Sequence, residues 1–98
     1  MKNIKVIKAW LRNETAKTKR LVSDGIILRS YNKAIGHTVD DVKYIVNYTA
    51  QTIEGKEGFF LSQTTSTHVR MAYRMGCVKV LSPDEADSLI RVNETYRS

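Results

Sequence analysis

The middle of the chain alternates apolar and polar side chains with a period of two, and this pattern restricts the fold more than any other feature. The alternation runs through residues 35–39 and again through residues 42–48, with Asp40-Asp41 between the two runs. Because successive side chains of a strand point to opposite faces, such runs are typical of strands with one buried face. Two strands joined by two residues predict an antiparallel hairpin. Residues 26–31 predict a further extended segment, which is either a strand of its own or the first half of a bent strand that continues into the hairpin.

Helical spacing precedes this region. Ile4, Ile7 and Leu11 recur along one side of the segment, with Trp10 beside them. This spacing predicts an amphipathic helix over residues 3–20, with its apolar side packed and Trp10 anchoring it in the core.

Two further helices are predicted after the hairpin. Hydroxyl side chains before residue 65 suit a helix start and Gly76 suits a helix end, so we expect a helix over residues 65–75. A short strand should follow over residues 77–81. Residues 82–85, Ser-Pro-Asp-Glu, form a capping box with proline at the first helical position, and they predict a helix over residues 83–96.

These elements predict a single α+β domain over residues 1–98. The length suits one hydrophobic core, and the composition, 42% hydrophobic and 27% charged, is that of an ordinary globular protein. The predicted architecture is an N-terminal amphipathic helix, an antiparallel β-hairpin extended to a three-stranded sheet, and two further helices. The apolar run at residues 59–61 is expected to enter the core.

Several classes of protein are not expected. No apolar run reaches the roughly 18 to 20 residues that a bilayer requires. Lysines interrupt the first eleven residues, so we expect no signal peptide, no membrane partner and a cytoplasmic location. Cys77 is the only cysteine, which excludes an internal disulfide, and we expect it to be a small buried apolar residue. Potential ligands show no metal-binding spacing, so neither a metal nor a cofactor is predicted.

The positive charge is concentrated in the first third of the chain. The net charge is +6. Residues 1–33 contain nine Lys/Arg and two acids, a balance of +7, whereas residues 34–98 contain seven Lys/Arg and eight acids, a balance of −1. Such asymmetry is typical of a surface that faces phosphates or an acidic partner.

The predicted first helix would display much of this charge on one face. At about 100° per residue, its basic side chains fall roughly opposite the apolar stripe. We predict that they form a surface for nucleic acid or for another macromolecular partner. The predicted set is Lys5, Lys8, Arg12, Lys19, Arg20 and Arg29. The alternative is a solvated face that only keeps the protein soluble.

A second candidate site lies at the start of the second helix. Free N–H groups together with Thr64, Thr65, Ser66 and Arg70 predict an anion-binding site, with simple helix capping as the alternative. The hydroxyls next to His68 also suggest a nucleophile and its base. Neighbouring side chains at a helix start point in different directions, however, and no acid lies nearby in sequence. We therefore predict no catalytic residue and a protein that is not an enzyme.

Three short stretches carry a family resemblance: Leu-Arg-Ser-Tyr-Asn-Lys-Ala-Ile at residues 28–35, Tyr48-Thr49, and Ser-Gln-Thr-Thr-Ser-Thr-His-Val at residues 62–69. They resemble small accessory proteins of tailed bacteriophages. That group shares a Ser-Tyr strand and a Ser-x-Thr-Thr-x-x-His helix start, and the similarity spans about residues 28–72. The resemblance implies a phage or prophage origin and action inside a host cell. It also implies a host complex as the partner, such as a CRISPR effector that the protein inhibits.

Three functional hypotheses follow. The first is a non-enzymatic accessory protein that binds nucleic acid or a host nucleoprotein complex through its basic N-terminal helix. The second is a structural or oligomerising subunit, for example a homodimer, whose lysines serve solubility. The third is an enzyme that acts on a phosphorylated substrate through residues 64–68, which the divergent directions of those side chains disfavour.

Overall fold

Six strands and three helical segments make up the part of the chain that the structure describes. The structure is a computed structural model, and it describes residues 2–89. Its elements in chain order are α1 (Asn3–Leu11), β1 (Thr15–Lys17), β2 (Leu21–Asp24), β3 (Leu28–Ser30), β4 (Lys33–Val39), β5 (Val42–Val46), α2 (Gln63–Arg74) and β6 (Lys79–Leu81). Residues 83–89 are also helical. The predicted α+β class is confirmed, and the rest of the predicted third helix, residues 90–96, lies outside the described residues.

The strands form one mixed sheet that follows chain order. The order across the sheet is β1-β2-β3-β4-β5-β6. The first five strands pair antiparallel with their neighbours, and β6 pairs parallel with β5 after the chain has crossed over through α2. The predicted three-stranded antiparallel sheet therefore had too few strands. It missed β1 and β2 at one edge and did not place β6 in the sheet at the other.

The hairpin around Asp40-Asp41 is confirmed. Val39 lies opposite Val42, and the two aspartates have positive φ angles of 51° and 65°. Positive φ at both central residues is the type I′ geometry, whose twist matches that of the flanking strands. The segment before the hairpin forms two strands and not one bent strand, because the chain turns at Tyr31, where φ is 57°.

The first helix is shorter than predicted. It begins at Asn3 and ends at Leu11, whereas the helical spacing predicted residues 3–20. Asn13 takes the left-handed conformation, with φ of 62°, and the chain reverses there. Strand β1 then runs back along α1 and pairs antiparallel with β2. The predicted helix was too long because its extension past Leu11 rested on the spacing of basic residues. Residues 15–17 pair with β2 instead.

Both α1 and α2 pack on one face of the sheet, and Trp10 lies in that core. Trp10 is fully buried, and its Nε1 donates a hydrogen bond to the Ile26 carbonyl oxygen at 3.0 Å. Its ring contacts Gly36 of β4. The prediction that Trp10 anchors the first helix is confirmed. The fully buried apolar side chains of the core are Val6, Ile7, Trp10, Leu21, Leu28, Ile35, Ile45, Val46, Val69 and Ala72.

The predicted start and end of α2 are confirmed to within two residues, and so is the predicted start of the third helix at residue 83. Ser62 caps α2, since its Oγ accepts a hydrogen bond from the Thr65 N–H at 3.1 Å, and Gly76 follows the helix with φ of 79°. Ser82 and Glu85 form the predicted capping box, in which each side chain accepts from the other residue's N–H at 3.2 Å. Cys77 is exposed, which corrects the expectation that it is buried, because β6 begins only at Lys79.

A long loop joins β5 to α2 and is organised by Asn47. The Asn47 Nδ2 donates to the carbonyl oxygens of Gln51 and Lys56 at 2.8 and 2.9 Å, and the Phe59 N–H donates to the Asn47 carbonyl oxygen at 3.0 Å. These bonds hold the end of the loop at the surface, so the prediction that residues 59–61 enter the core is wrong. The exposed fractions are 62% for Phe59, 44% for Phe60 and 42% for Leu61.

Candidate functional site

Helix α1 displays a row of cations on the side away from the core. Lys5, Lys8 and Arg12 are exposed, while Val6 and Ile7 are buried against the sheet. At about 100° per residue the three cations lie within roughly 60° of arc. Among residues 2–89 the ion pairs are Arg29 with Asp24 and Lys56 with Glu85 only, so within that part no carboxylate neutralises the row.

Lys19 and Arg20 lie near the start of α1 but belong to a different element. Both were predicted on the first helix, but they lie exposed in the turn between β1 and β2. Thr18 Oγ1 donates a hydrogen bond to Asn3 Oδ1 at 2.8 Å, which places the turn beside the first residue of α1. Asn3, Thr18, Lys19 and Arg20 line one shallow depression there. We call the five exposed cations Lys5, Lys8, Arg12, Lys19 and Arg20 the basic surface.

Arg29, the sixth predicted cation, does not join the basic surface. Its neighbours Leu28 and Ser30 are buried under the helices, so by strand alternation Arg29 points to the opposite face of the sheet. There its Nη1 lies 3.2 Å from Asp24 Oδ2. The Ile27 N–H bond, with smaller contributions from the Ile26 N–H and Arg29, lowers the pKa of Asp24, so the partner of Arg29 is ionised at neutral pH.

Lys43 is a buried cation. Its burial was not predicted from the sequence, because lysine side chains are normally exposed. Its Nζ donates to Asn13 Oδ1 at 2.8 Å and to Thr38 Oγ1 at 2.6 Å, and it lies 5.1 Å from the centre of the Trp10 ring. Burial lowers the pKa of Lys43, and the charge of Asp41 partly opposes this effect. Lys43 therefore fixes the end of α1 to the sheet and lies outside the basic surface.

A chain of buried polar side chains lies beneath the basic surface. His68 of α2 has its Nδ1 2.7 Å from Ser30 Oγ and its Nε2 3.2 Å from Asn3 Nδ2. Because Asn3 Oδ1 accepts from Thr18, its Nδ2 is left to donate to His68, so Nε2 accepts and Nδ1 carries the proton. Ser30 Oγ also lies 3.3 Å from Thr65 Oγ1. The chain therefore links α1, the β1–β2 turn, β3 and α2.

The geometry of His68 does not suit acid-base chemistry on a substrate. His68 is 1% exposed and Ser30 is fully buried, so neither reaches solvent. Burial, and secondly the charge of Arg20, lowers the pKa of His68, which keeps the ring neutral at pH 7. Its unprotonated nitrogen already accepts from Asn3, so no base is left to activate a hydroxyl.

The structure uses the predicted anion-site residues in internal contacts. Thr65 and Ser66 are buried, and Thr65 Oγ1 accepts from Ser62 Oγ at 3.0 Å. Arg70 Nη2 donates to Gln51 Oε1 at 3.0 Å and so points toward the loop. Thr64 is half-buried. Anion binding at this helix start stays a prediction, and the capping alternative accounts for these contacts.

Comparison with known proteins assigns no function to these residues. No protein-family model, no curated protein and no solved structure matches the chain. Within residues 2–89, no helix combines the length and apolar character needed to cross a bilayer. In the same part of the chain, no three His, Cys, Asp or Glu side chains gather as metal ligands.

Proposed function

We propose that the protein is a non-enzymatic accessory protein that binds nucleic acid through its basic surface. The observation that carries this proposal is that exposed cations follow one face of α1 and that Lys19 and Arg20 are exposed in the β1–β2 turn beside the first residue of that helix. Within residues 2–89 none of the five has an ion-pair partner. Exposed cations of this kind are available to neutralise backbone phosphates.

The spacing along α1 fits a phosphate backbone. From Lys5 to Arg12 the helix rises about 10 Å, at 1.5 Å per residue. Duplex DNA carries about six phosphates over that length, since one charge occurs per roughly 1.7 Å of helix axis. Lys5, Lys8 and Arg12 can therefore each lie near a phosphate along that length, and Trp10 holds α1 to the sheet. Contacts of this type set affinity and carry no base specificity.

The test is a binding titration on duplex DNA and on RNA near 50 mM salt, using the folded wild-type protein and a variant. In the variant Lys5, Lys8, Arg12 and Lys19 are replaced by glutamine, which removes the charge and keeps a polar side chain. We expect the wild type to bind and the variant to lose binding. A wild type that binds neither nucleic acid at this salt contradicts the proposal.

The similarity to phage accessory proteins suggests where such binding would act. We propose that the nucleic acid belongs to a host defence nucleoprotein complex, such as a CRISPR effector, in the cytoplasm of a bacterial host, and that the protein inhibits it. Affinity capture from a host lysate, with and without nuclease, tests this setting. Capture of an effector only without nuclease supports contact through nucleic acid, whereas equal capture in both indicates an acidic protein surface as the target.

A second candidate is a structural subunit that forms a homodimer, and the exposed residues 59–61 favour it. Phe59, Phe60 and Leu61 present consecutive large apolar side chains to solvent. Exposed apolar clusters are typical of interaction sites. In this case the lysines of the basic surface serve solubility only, and their replacement by glutamine leaves function unchanged.

A further inference from the structure

We propose that His68 is a positioning residue that latches the β1–β2 turn to α1 and makes nucleic-acid binding dependent on pH. The inference rests on the proposed function, because it concerns the arrangement of the same basic surface. We call latch the two hydrogen bonds that join Thr18 to Asn3 and Asn3 to His68.

Asn3 is the shared element of the latch. Its side chain accepts from the Thr18 hydroxyl at 2.8 Å with Oδ1 and donates to His68 Nε2 at 3.2 Å with Nδ2. Both bonds are made only when Nε2 is an acceptor, which requires a neutral His68. The turn itself is held by the Thr18 N–H to Leu21 O and Tyr31 N–H to Arg20 O bonds, both 2.7 Å. Lys19 and Arg20 follow Thr18 directly, so the latch contributes to how closely these two cations lie to α1.

The groups around His68 favour the neutral ring. Arg20 is the charged side chain that acts on it, and the effect lowers the pKa of His68, as burial does. Its other polar neighbours, Asn3 of α1 and Ser30 of β3, are uncharged. Lys33 is paired across strands with Ser30, but its ammonium lies 5.0 Å over the Tyr48 ring.

A proton taken up from solvent at acid pH must go to Nε2, because Nδ1 already carries one. The new N–H then faces the N–H of the Asn3 amide, and the two donors cannot bond. The Asn3 amide can rotate so that its oxygen accepts from His68. Its NH₂ group then faces the Thr18 hydroxyl, which can no longer donate a hydrogen bond to Asn3. In either case the bond between the turn and α1 is disturbed, and the turn that carries Lys19 and Arg20 shifts relative to α1 while its own backbone bonds remain.

Protonation of His68 also adds one positive charge, and this second effect raises the affinity for nucleic acid. That charge lies beneath the surface, farther from a bound phosphate than the two cations above it, and is therefore the weaker influence. The released latch affects two of the five cations of the basic surface. We expect affinity for nucleic acid to fall as the pH falls, where added charge alone would make it rise.

The first experiment needs no ligand. In an NMR titration from pH 7.5 to 5.5, the ring nitrogens of His68 should report the Nδ1–H tautomer at the start. The backbone amides of Thr18, Lys19 and Arg20 should then shift together with protonation of the ring. A Nε2–H tautomer, or turn amides that do not follow His68, overturns the latch whether or not the protein binds nucleic acid.

The second experiment measures affinity for a short DNA duplex at pH 7.5 and 5.5 and constant salt. We expect the wild type to lose roughly fivefold or more in affinity. In His68→Gln the side-chain oxygen can still accept from Asn3 but cannot titrate in this range, so its affinity should change less than about twofold. His37→Gln, which removes the other histidine, is the matched control and should behave as wild type.

The outcomes separate the two proposals. No binding by the wild type at pH 7.5 contradicts the proposed function. Binding with the same pH profile in wild type and His68→Gln contradicts the latch alone. If His68→Gln does not fold, Asn3→Asp replaces it. Its carboxylate accepts from both Thr18 and a protonated ring, so the affinity loss at acid pH should disappear, and a profile like that of the wild type overturns the inference.

Discussion

Trp10 and Gly36 are in direct contact, and a Cβ atom at position 36 would lie 2.7 Å from the Cζ2 of the indole. Leu28 Cβ lies 3.0 Å from the same position, so the new methyl group has no free direction. We expect Gly36→Ala to destabilise the protein by about 1–3 kcal/mol through overpacking. Urea unfolding followed by circular dichroism measures the change.

The double variant Trp10→Leu/Gly36→Ala provides the control for this contact. Leucine removes the ring atoms that the new Cβ meets, so part of the cost of Gly36→Ala should disappear in that background. If the loss of unfolding free energy in the double variant equals the sum of the losses in the two single variants, the assigned contact between the two residues is contradicted.

The Asp40-Asp41 turn is a site at which the protein can be stabilised. Both residues hold positive φ, which glycine adopts without strain and which asparagine and aspartate tolerate better than most other residues. Replacing the pair by Asn-Gly, the preferred type I′ sequence, should raise the free energy of unfolding by about 1 kcal/mol. A lower free energy of unfolding in the same urea experiment would show that the turn has another geometry.

Stability should fall in mildly acid solution because of the two histidines. Burial lowers the pKa of both His37 and His68, with a smaller contribution from Arg29 and Arg20 respectively. The unfolded chain therefore binds protons at a higher pH than the folded one, and the stability is complete above about pH 6.5, the ordinary histidine pKa. It decreases as the pH falls below that value.

Urea unfolding at pH 7.5 and 5 tests this sign. The carboxylates whose pKa the fold lowers, Asp24 and Glu85, lose their contribution only at lower pH and do not interfere in this window. We expect His37→Gln and His68→Gln each to flatten the pH dependence. A wild type that is equally stable at both pH values would contradict the buried neutral state of the rings.

Local sequence signals predicted the later part of the fold well, since the interactions behind them span only a few residues. Ser82 and Glu85 cap a helix through contacts three residues apart, and Asp40-Asp41 joins two adjacent strands. The end of α1 could not be read in the same way. Whether residues after Leu11 continue the helix depends on pairing with β2, which local periodicity does not report.

The candidate site was predicted in part for the same reason. Lys5 and Lys8 lie on α1 and Arg12 directly follows its last residue, so their common face follows from helical spacing. Lys19 and Arg20 lie beside the start of α1 through the Thr18 to Asn3 bond, which joins residues 15 positions apart. The bond from Asn3 to His68 spans 65 positions, and no sequence pattern marks it.

The exposed residues 59–61 allow a direct test of the homodimer. Replacing Phe59 and Phe60 by serine should make a dimer monomeric, while changing stability little, because both rings are already exposed. Light scattering after gel filtration measures the molecular mass. Tyr31→Ser is the matched control, since Tyr31 is 50% exposed at another site. A wild type that is monomeric at high concentration contradicts the dimer.

Fluorescence anisotropy with a labelled DNA duplex, measured between 50 and 200 mM salt, tests the central claim most directly. The comparison is between Lys5→Gln/Lys8→Gln, on the basic surface, and Arg74→Gln/Lys79→Gln, which removes the same charge outside it. We expect the first variant to lose affinity and to reduce the slope of log affinity against log salt by roughly 2, at about 0.9 per phosphate contact. The second variant should match the wild type. Equal losses in both variants, or a wild-type affinity that does not respond to salt, would contradict a nucleic-acid interface on α1.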